Sequence, residues 1–496
     1  MAADRRESEA LLDKPGVARL IALAAGPLIL IAITMLAPAG LTPAGARVLG
    51  VAAWMTVWWL TGPIPLGATA LLPLVLFPVL GIATPREAAA PYANEFIFLF
   101  LAGFMLAAAL ERWNAHARIA YTIVATVGTA GGRRVVFGVM LATAFISLWI
   151  SNTATTAMMY PIALAVGALF GASKDAENLR TALMLGIAYA ASIGGMGTLI
   201  GTPPNLIFAG AARELAGAEV DFVSFMAVGL PAVAILLPLC WLLLMALFPG
   251  RVTFTDSARE ELHLKRAALG SLRGTERAAL TIFAATAVAW VVREPKDLGA
   301  VRIPGLTDLV PRLTDASVGL IGALAMFIMV ARTPDGTRQP ILTWAEARGI
   351  PWEVLLIYGG GFSFATAMET QGVAAWLGNL MTGFAGWPTI GIFFGVAAII
   401  LLLTELASNT TVAAMAMPIV ASLADAVGQP RLTLMLLTTL VASAGFALPT
   451  ATAPNIIVFG SGKITVRQMV RAGLLLDLVA VVVVVMAVFL LASRVV

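Results

Sequence analysis

The chain has 496 residues, of which 60% are hydrophobic and 12% are charged, with a mean hydropathy of +0.94. Soluble domains contain about 45–50% apolar residues, so this composition is typical of a polytopic membrane protein. One cysteine and two separated histidines exclude an intramolecular disulfide and give little basis for zinc or haem chemistry. The net charge of +4 is spread between apolar segments rather than gathered in one patch, so we expect a lipid bilayer, and no nucleic acid, as the partner.

Apolar segments follow one another along the whole chain. A membrane-spanning helix needs about 20 mostly apolar residues. We predict eleven spans, at residues 18–37, 45–61, 64–82, 94–112, 180–210 (interrupted), 222–248, 277–293, 316–331, 353–370, 430–458 (interrupted) and 466–493. The first belongs to an extra helix at 18–40. It is preceded by a mixed-charge tail, residues 1–17, which has no signal-peptide cleavage pattern and is predicted to be cytosolic.

Two further apolar segments, 134–170 and 389–424, carry a polar triplet near the middle. The triplets are Ser151-Asn152-Thr153 and Ser408-Asn409-Thr410, 257 positions apart. Each half of these segments is too short to span the membrane easily as a helix, so we predict two re-entrant hairpins with their tips at membrane depth. A tip of this kind is tolerated only where protein or a water-filled cavity satisfies its exposed backbone groups.

Other motifs also recur in the same order. Three residues of one apolar segment return at an offset of 258, as the pairs Glu95 and Glu353, Gly103 and Gly361, and Glu111 and Glu369. A Pro-Asn motif returns at an offset of 250, as Gly201-Thr202-Pro203-Pro204-Asn205 and Ala451-Thr452-Ala453-Pro454-Asn455. Three matches at nearly one period indicate an internal repeat.

The repeat divides the chain into a first half at 41–250, a cytosolic linker at 251–276 and a second half at 277–496. Each half holds five predicted spans and one hairpin, and one of the five spans is a broken helix, at 180–210 or 430–458. An odd number of crossings turns the second half upside down. This is the inverted-repeat arrangement of secondary transporters, which places a binding site at the midplane between the repeats.

Lysine and arginine indicate which side faces the cytosol, because the positive-inside rule places them there. With the N-terminus inside, the linker 251–276 is rich in cations, whereas the outer segments 38–44 and 371–388 contain none. The outer segment 293–315 departs from the rule, but its four cations are accompanied by four acids. We predict a multi-pass protein of the cell (inner) membrane, whose first hairpin enters from the cytosol and whose second enters from outside. Lys463 and Arg471 are interpreted as positive-inside anchors.

The triplets offer the chemistry of an anion site that has no cationic side chain. A helix that begins there presents unpaired N–H groups and the positive end of its dipole, and Ser, Thr or Asn can bond either the helix or a ligand carboxylate. Helix capping alone explains one triplet equally well, but a duplicated triplet in a duplicated hairpin favours a binding site.

The broken helices add free backbone groups. Residues 192–204 and 443–455 combine Gly and Pro, so neither can run as one regular helix. Unwound carbonyls can coordinate Na⁺, and the half-helix that follows can point its N-terminus at an anion. A proline kink that only helps packing is the alternative interpretation.

Neither triplet and neither break contains Lys or Arg, so a multiply charged anion needs another source of positive charge. A bound Na⁺ is the economical one, and hard cations prefer oxygen ligands. We predict two sets of sodium ligands: Ser147, Ser151, Asn152 and the Gly201 carbonyl in the first half, and Thr404, Asn409 and the Ala407 and Ala451 carbonyls in the second. Glu405 has no counterpart before Ser151, so we interpret it as a hairpin-stabilising or water-cavity residue.

The paired Ser-Asn-Thr tips, the two Pro-Asn breaks and the repeat spacing resemble the divalent anion/sodium symporter family over nearly the whole chain. The family includes bacterial dicarboxylate transporters and animal di- and tricarboxylate carriers. The resemblance implies an all-α homodimer in which each subunit has a scaffold domain and a transport domain that moves as an elevator.

The resemblance also implies that the substrate carboxylates are held at the two tips and the two breaks. The substrate-binding candidates are Ser151, Asn152, Thr153, Thr202, Ser408, Asn409, Thr410, Thr452 and Ala453. One departure concerns Ala453, since the family often has Thr-Pro-Pro-Asn where this chain has Thr-Ala-Pro-Asn.

The predicted function is secondary active transport of C4 dicarboxylates such as succinate, malate or fumarate, coupled to Na⁺. A sodium-independent dicarboxylate exchanger, or a carrier of citrate or sulfate, is the alternative, because the hydroxyls of Ser147 and Thr404 also suit helix caps or bonds to the preceding turn. An anion channel would need a continuous pore rather than two tips closing on one site. An enzyme is not expected, because neither histidine lies near a membrane-depth Ser or Asp in the sequence.

Overall fold

The computed structural model describes residues 16–128, 131–252, 260, 264, 266–272, 274–297, 302–333 and 336–492. The predicted tail, apart from Gly16 and Val17, and much of the predicted linker lie outside the described residues. The prediction of an all-α membrane protein is confirmed in its coarse form, since the described chain is helical apart from turns and two short β-hairpins. By length and composition, five described segments can cross a membrane: Gly16–Leu36, Pro85–Arg112, Phe222–Leu247, Thr389–Leu406 and Val466–Leu491.

The chain before the first hairpin forms short and long helices in alternation. They are α1 (Gly16–Leu36), α2 (Pro43–Thr61), α3 (Leu66–Thr69), α4 (Leu72–Val79), α5 (Pro85–Ala89), a 3₁₀ turn (Ala90–Ala93), α6 (Glu95–Arg112) and α7 (Ala115–Val127). The predicted span 64–82 is divided into α3 and α4, because Pro73 lacks an N–H and starts a new helix in its first turn. Helix α7 was not predicted, since it is too short and too polar to register as a span.

The next segment contains the first predicted hairpin and the first predicted broken helix. Its helices are α8 (Gly132–Ser147), α9 (Asn152–Ala168), α10 (Lys174–Gly195), α11 (Pro203–Ala216) and α12 (Phe222–Leu247). The interruption between α8 and α9 falls at the predicted triplet. The interruption between α10 and α11 falls in the predicted Gly- and Pro-rich segment.

The middle of the chain adds two small antiparallel hairpins to three longer helices. Its elements are α13 (Gly274–Val291), β1 (Lys296–Asp297), β2 (Arg302–Ile303), a 3₁₀ turn (Leu306–Asp308), α14 (Asp315–Ile328), β3 (Val330–Arg332), β4 (Arg338–Pro340), α15 (Trp344–Ala347), α16 (Trp352–Thr370) and α17 (Val373–Leu380). Lys296 pairs with Ile303 in the first hairpin, and Ala331 pairs with Gln339 in the second. The sequence did not predict α17 or these strands.

Ion pairs neutralise cations in the segment 293–315, which was predicted to be an outer segment. Arg293 lies 2.6 Å from Asp315, and Arg302 lies 2.6 Å from Asp308. These contacts give a physical reason why the segment departs from the positive-inside rule, because a cation paired with an acid adds little net charge to it.

The last part of the chain repeats the plan of the first hairpin and broken helix. After a 3₁₀ turn (Thr382–Phe384), its helices are α18 (Thr389–Leu406), α19 (Asn409–Ala426), α20 (Arg431–Ala442), α21 (Ala453–Phe459) and α22 (Val466–Leu491). Thr465 and Gln468 form a capping box that fixes the start of α22.

Each hairpin packs against the broken helices of both halves. Helix α9 contacts α10 of its own half and α21 of the other, while α19 contacts α20 and α11. The two hairpins and the two broken helices therefore form one packed body. Helix α16 lies against this body through close contacts, since a Cβ on Gly361 would lie 3.2 Å from the Ala414 methyl.

Two polar helix breaks as the candidate binding site

The tip of the first hairpin is joined to the broken helix by a buried hydroxyl. Ser147 ends α8, and its Oγ lies 2.9 Å from the Asn152 Oδ1 and 2.7 Å from the Ala191 carbonyl oxygen of α10. The Asn152 side-chain amide in turn donates to the Thr202 hydroxyl at 3.4 Å. These contacts bring three predicted site residues together, and Ser147, Asn152 and Thr202 are all buried.

The second hairpin repeats this contact. The Thr404 hydroxyl lies 2.7 Å from the Asn409 Oδ1 and 2.6 Å from the carbonyl oxygen of Ala442, the last residue of α20. Thr404 and Asn409 each stand 257 positions after Ser147 and Asn152. The same pair of contacts therefore occurs in both halves of the chain.

In each half, three oxygen atoms meet around one hydroxyl proton. A Ser or Thr hydroxyl carries a single hydrogen, so Ser147 cannot donate to Asn152 and to Ala191 at the same time, and Thr404 is under the same constraint. With the asparagine oxygen directed at the hydroxyl, each cluster holds two acceptor oxygens for the single hydroxyl hydrogen. A monovalent cation is one chemical species that oxygens arranged in this way can hold, because hard cations bind oxygen ligands.

The predicted carbonyl ligands lie in the interrupted backbone beside these hydroxyls. Gly201 and Ala451 are buried in the two breaks, and Ala407 follows the last turn of α18. Within the described chain, no backbone hydrogen bond is directed at the carbonyl oxygens of these three residues. Those oxygens are therefore available to a ligand.

Two asparagines hold the breaks open. The Asn205 amide nitrogen donates to the carbonyls of Gly195 at 2.8 Å and Thr198 at 2.6 Å. The Asn455 amide nitrogen donates to the Leu448 carbonyl at 2.9 Å. Both side chains are fully buried, and each satisfies backbone groups that the interruption of the helix leaves unpaired. Both asparagines end the repeated Pro-Asn motif, but the sequence pattern predicted no role for either of them.

The backbone in the first break approaches its neighbours too closely for a side chain. A Cβ on Gly195 would overlap the Asn152 Oδ1, and a Cβ on Gly201 would lie 2.5 Å from the Gly195 carbonyl oxygen. Glycine at these two positions therefore allows the hairpin tip and the two sides of the break to meet.

Two buried acids support the second break only. The Glu405 carboxylate accepts hydrogen bonds from the backbone N–H groups of Ala447 at 2.9 Å and Leu448 at 2.8 Å. Asp477, on α22, accepts from the N–H of Phe446 at 3.0 Å. Glu405 thus stabilises the break rather than the hairpin alone. Asp477 was missed, although a single acid within an apolar helix was a usable signal.

The other predicted residues occupy helix starts. Ser151 caps α9, accepting from the Ala154 N–H at 3.4 Å, and Ser408 is the N-cap residue of α19. Thr452 caps α21, accepting from the Asn455 N–H at 3.4 Å. Ala453 is the first residue of α21, Thr410 is buried in the first turn of α19, and Thr153 is exposed on α9.

A cavity of about 390 Å³ reaches the tip of the first hairpin. It lies between the C-terminal end of α6, the hairpin tip and the chain that precedes α16. The polar and charged residues that line it are Glu111, Arg112, Ser151 and Glu346. This cavity gives one hairpin tip a path to one face of the molecule.

The apolar helices and the paired polar breaks define a membrane transport protein rather than an enzyme. The profile of the sodium:sulfate symporter transmembrane region matches residues 16–493. The chain belongs to this family, which confirms the resemblance seen in the motifs.

Two staphylococcal relatives carry the name sodium-dependent dicarboxylate transporter SdcS. The Staphylococcus saprophyticus protein is 35% identical over 490 residues, covering 96% of this chain and 92% of the relative. The protein of Staphylococcus aureus strain USA300 is 36% identical over 486 residues, covering 95% and 91%.

A solved structure of Neisseria gonorrhoeae MtrF, described as illuminating a class of antimetabolite efflux pumps, matches with a TM-score of 0.56 and 12% identity. The match covers 83% of both chains. At this level of identity the likeness concerns the fold alone.

Proposed function

We propose that the protein is a secondary active transporter of C4 dicarboxylates such as succinate, malate or fumarate, coupled to Na⁺. The observation that supports this proposal most is the buried cluster of a hydroxyl, an asparagine side-chain oxygen and a backbone carbonyl, which occurs at Ser147 and again at Thr404. The printed names of the two relatives, both sodium-dependent dicarboxylate transporters, support the choice of ion and substrate class.

Two sodium ions bind at the two clusters in this proposal. The first site uses Ser147, Ser151, Asn152 and the Gly201 carbonyl, and the second uses Thr404, Asn409 and the carbonyls of Ala407 and Ala451. The single hydrogen of each hydroxyl can be donated to only one of the two neighbouring oxygens. A bound Na⁺ would be coordinated by the hydroxyl oxygen and by the neighbouring oxygen that receives no hydrogen bond from it. It would also supply the positive charge that a dianion needs.

The substrate carboxylates bind between the hairpin tips and the breaks. The N-terminal N–H groups of α9 and α19 supply donors and the positive ends of helix dipoles. Prolines occupy the first turns of α11 and α21, so these breaks contribute through the side chains of Thr202 and Thr452 instead. The side chains assigned to substrate are Ser151, Asn152, Thr153 and Thr202 in the first half, and Ser408, Asn409, Thr410, Thr452 and Ala453 in the second. Each helix start would hold one end of a short dicarboxylate, which selects for the distance between its charges.

Transport follows from motion of the packed body that contains the hairpins and broken helices. We assign this body to the transport domain and α16 to the scaffold of a homodimer that works as an elevator. The Tyr358 hydroxyl of α16 donates to the Pro203 carbonyl at 2.8 Å, so this contact must break during the motion. With a cytosolic N-terminus, the cavity at Ser151 opens to the cytosol and the present state faces inward.

Substrate competition in proteoliposomes tests the substrate class. Uptake of labelled succinate, with and without Na⁺, should be inhibited by unlabelled malate and fumarate more strongly than by equal concentrations of citrate or sulfate. Stronger inhibition by sulfate or citrate would replace the C4 assignment with one of those anions. Succinate uptake that requires internal dicarboxylate and ignores Na⁺ would instead identify an exchanger.

A further inference from the structure

Two ion pairs join the proposed transport domain to α6 and α16 at one end of the molecule, and we assign α6 to the scaffold together with α16. Arg213, near the end of α11, pairs with Glu95 at the start of α6. Arg431, at the start of α20, lies 3.4 Å from Glu369 near the end of α16. Arg431 also donates to the carbonyl of Leu215, so the two pairs lie side by side at the C-terminal end of α11.

Every member of these pairs has a repeat counterpart that could form the same pair. Glu95 corresponds to Glu353 and Glu369 to Glu111, both at the offset of 258 found for this segment. Arg431 of α20 stands 251 positions after Arg180 of α10. The same offset relates Ala442 of α20 to Ala191 of α10. Lys463 stands 250 positions after Arg213, the offset of the Pro-Asn motifs. The counterpart pairs are Glu111 with Arg180 and Glu353 with Lys463.

These counterparts occupy the opposite end of the molecule. Arg180 lies near the start of α10, whereas Arg213 lies near the end of α11, beyond the break. In the second half, Arg431 lies before the break, and Lys463 lies after the break and after α21. Glu111 lines the cavity at the first hairpin tip, and Pro351, two residues before Glu353, lines it as well.

The counterpart pairs are open in this structure. No ion pair within the described chain involves Glu111, Arg180, Glu353 or Lys463. Glu353 accepts a hydrogen bond from the Gly67 N–H at 2.8 Å through one oxygen, and its other oxygen has no hydrogen bond among the residues that the structure describes.

Arg180 is anchored as its counterpart is. Its Nε donates to the Gly167 carbonyl, near the end of α9, at 3.0 Å, and Arg431 is held in a comparable way by Asp425 near the end of α19. The Nε and Nη2 of Arg431 bond Asp425, and its Nη1 reaches Glu369. The corresponding nitrogens of Arg180 are directed at no acid among the described residues.

We propose that these eight residues form a reciprocal ion-pair gate. The inference rests on the inverted-repeat elevator of the proposed function. In such a protein the opposite-facing state arises when the two halves exchange conformations, so each contact of one half passes to its counterpart in the other. When the transport domain moves, Glu95–Arg213 and Glu369–Arg431 open at one face, and Glu353–Lys463 and Glu111–Arg180 close at the other.

The gate biases the two states without locking either. Exposed ion pairs contribute little each, and charge removal at one of them shifts an equilibrium by roughly two- to fivefold. The side chains of Arg213 and Glu369 are 44% and 40% exposed, so both pairs fall in this weak class. A pair of modest strength at each face suits a carrier that must visit both states.

Cysteine cross-linking in the full-length protein tests the gate. Two variants, Glu111→Cys with Arg180→Cys and Glu353→Cys with Lys463→Cys, are treated with a short bis-maleimide in membranes. Adding Glu95→Gln or Glu369→Gln should raise the yield of both cross-links, here called the inner cross-links, about two- to fivefold. The native Cys240 is buried and serves as the unreacted background.

Matched controls distinguish opening of these ion pairs from a general loss of protein stability. Glu219→Gln removes an exposed acid near the same outer end, which has no ion pair among the described residues, and should leave the yields unchanged. The crossed variant, Glu111→Cys with Lys463→Cys, should cross-link poorly in every background.

Unchanged inner yields after Glu95→Gln and Glu369→Gln, or equal yields in the crossed variant, would overturn the gate. Sodium-driven uptake by the unmodified protein is measured in parallel. Failure of the gate leaves that uptake intact, whereas failure of the proposed function removes it from the unmodified protein.

Discussion

Ser147 and Asn152 meet at the tip of the first hairpin, with 2.9 Å between the hydroxyl and the side-chain oxygen. The Ala191 carbonyl oxygen lies 2.7 Å from the same hydroxyl, so one hydroxyl hydrogen faces two acceptor oxygens. Thr404 stands in the same relation to Asn409 and Ala442. This duplicated cluster of oxygens is the basis of the proposed sodium coupling.

Removal of either hydroxyl should weaken sodium binding. Contacts to a charged group contribute about 1.5–3 kcal/mol, so Ser147→Ala or Thr404→Ala should raise the Na⁺ concentration for half-maximal uptake about ten- to hundredfold. Thr143→Ala is the matched control, because Thr143 is also buried on α8. Among the described residues its hydroxyl donates only to the Val139 carbonyl, one turn earlier in the same helix, at 2.7 Å. Sodium dependence that is the same in all three variants would contradict the assignment.

The asparagines of the breaks should matter for stability as well as for transport. Asn205→Ala or Asn455→Ala leaves buried carbonyls without a donor, which costs about 1–3 kcal/mol of the free energy of unfolding. Thermal unfolding in detergent should therefore show a lower midpoint for both variants. Asn178→Ala, which removes a partly exposed bond to the Pro249 carbonyl, should change the midpoint little. Equal midpoints for all three would mean that the breaks are held by other contacts.

Gly195 should tolerate no side chain. Gly195→Val places a Cβ on the Asn152 Oδ1, so it separates the hairpin tip from the break and should abolish uptake while leaving folded protein in the membrane. Gly391→Val is the control, because a Cβ on this α18 residue would meet no atom within 4 Å. Full uptake by Gly195→Val would show that the break serves only as a packing kink.

Glu405 should act on the second break through its backbone. Glu405→Gln keeps one acceptor oxygen for the two N–H groups of Ala447 and Leu448, and Glu405→Ala keeps none. We expect a graded loss of stability, reaching about 2 kcal/mol or more for the alanine variant, because each buried N–H loses its partner. The readout is the denaturation midpoint of each variant in detergent. A glutamine variant that is less stable than the alanine variant would point to a role for the charge instead.

The positions of the two tips could be predicted because the information is local. A Ser-Asn-Thr triplet between apolar runs marks the end of one helix and the start of another, and the structure begins α9 at Asn152 and α19 at Asn409. The hydroxyls of Ser147 and Thr404 were found by the same reasoning. They lie one helical turn or so before the triplets, within reach of them.

Other features could not be predicted because they depend on which helices become neighbours. The contact of Asp477 with the second break requires α22 to lie beside it, and nothing in the spacing of Phe446 and Asp477 indicates this. Helices α7 and α17 were missed because they are too short for a criterion based on span length. The division of the 64–82 segment into α3 and α4 was missed because hydropathy does not register where a proline starts a new helix.

Uptake of labelled succinate into proteoliposomes tests sodium coupling most directly. An inward Na⁺ gradient should drive saturable uptake into vesicles with no internal dicarboxylate, and replacement of Na⁺ by K⁺ should abolish it. Asn152→Ala and Asn409→Ala should each lose this uptake. Equal uptake in K⁺, or uptake that appears only with internal dicarboxylate, would contradict sodium symport, and a flux that does not saturate would contradict a carrier of any kind.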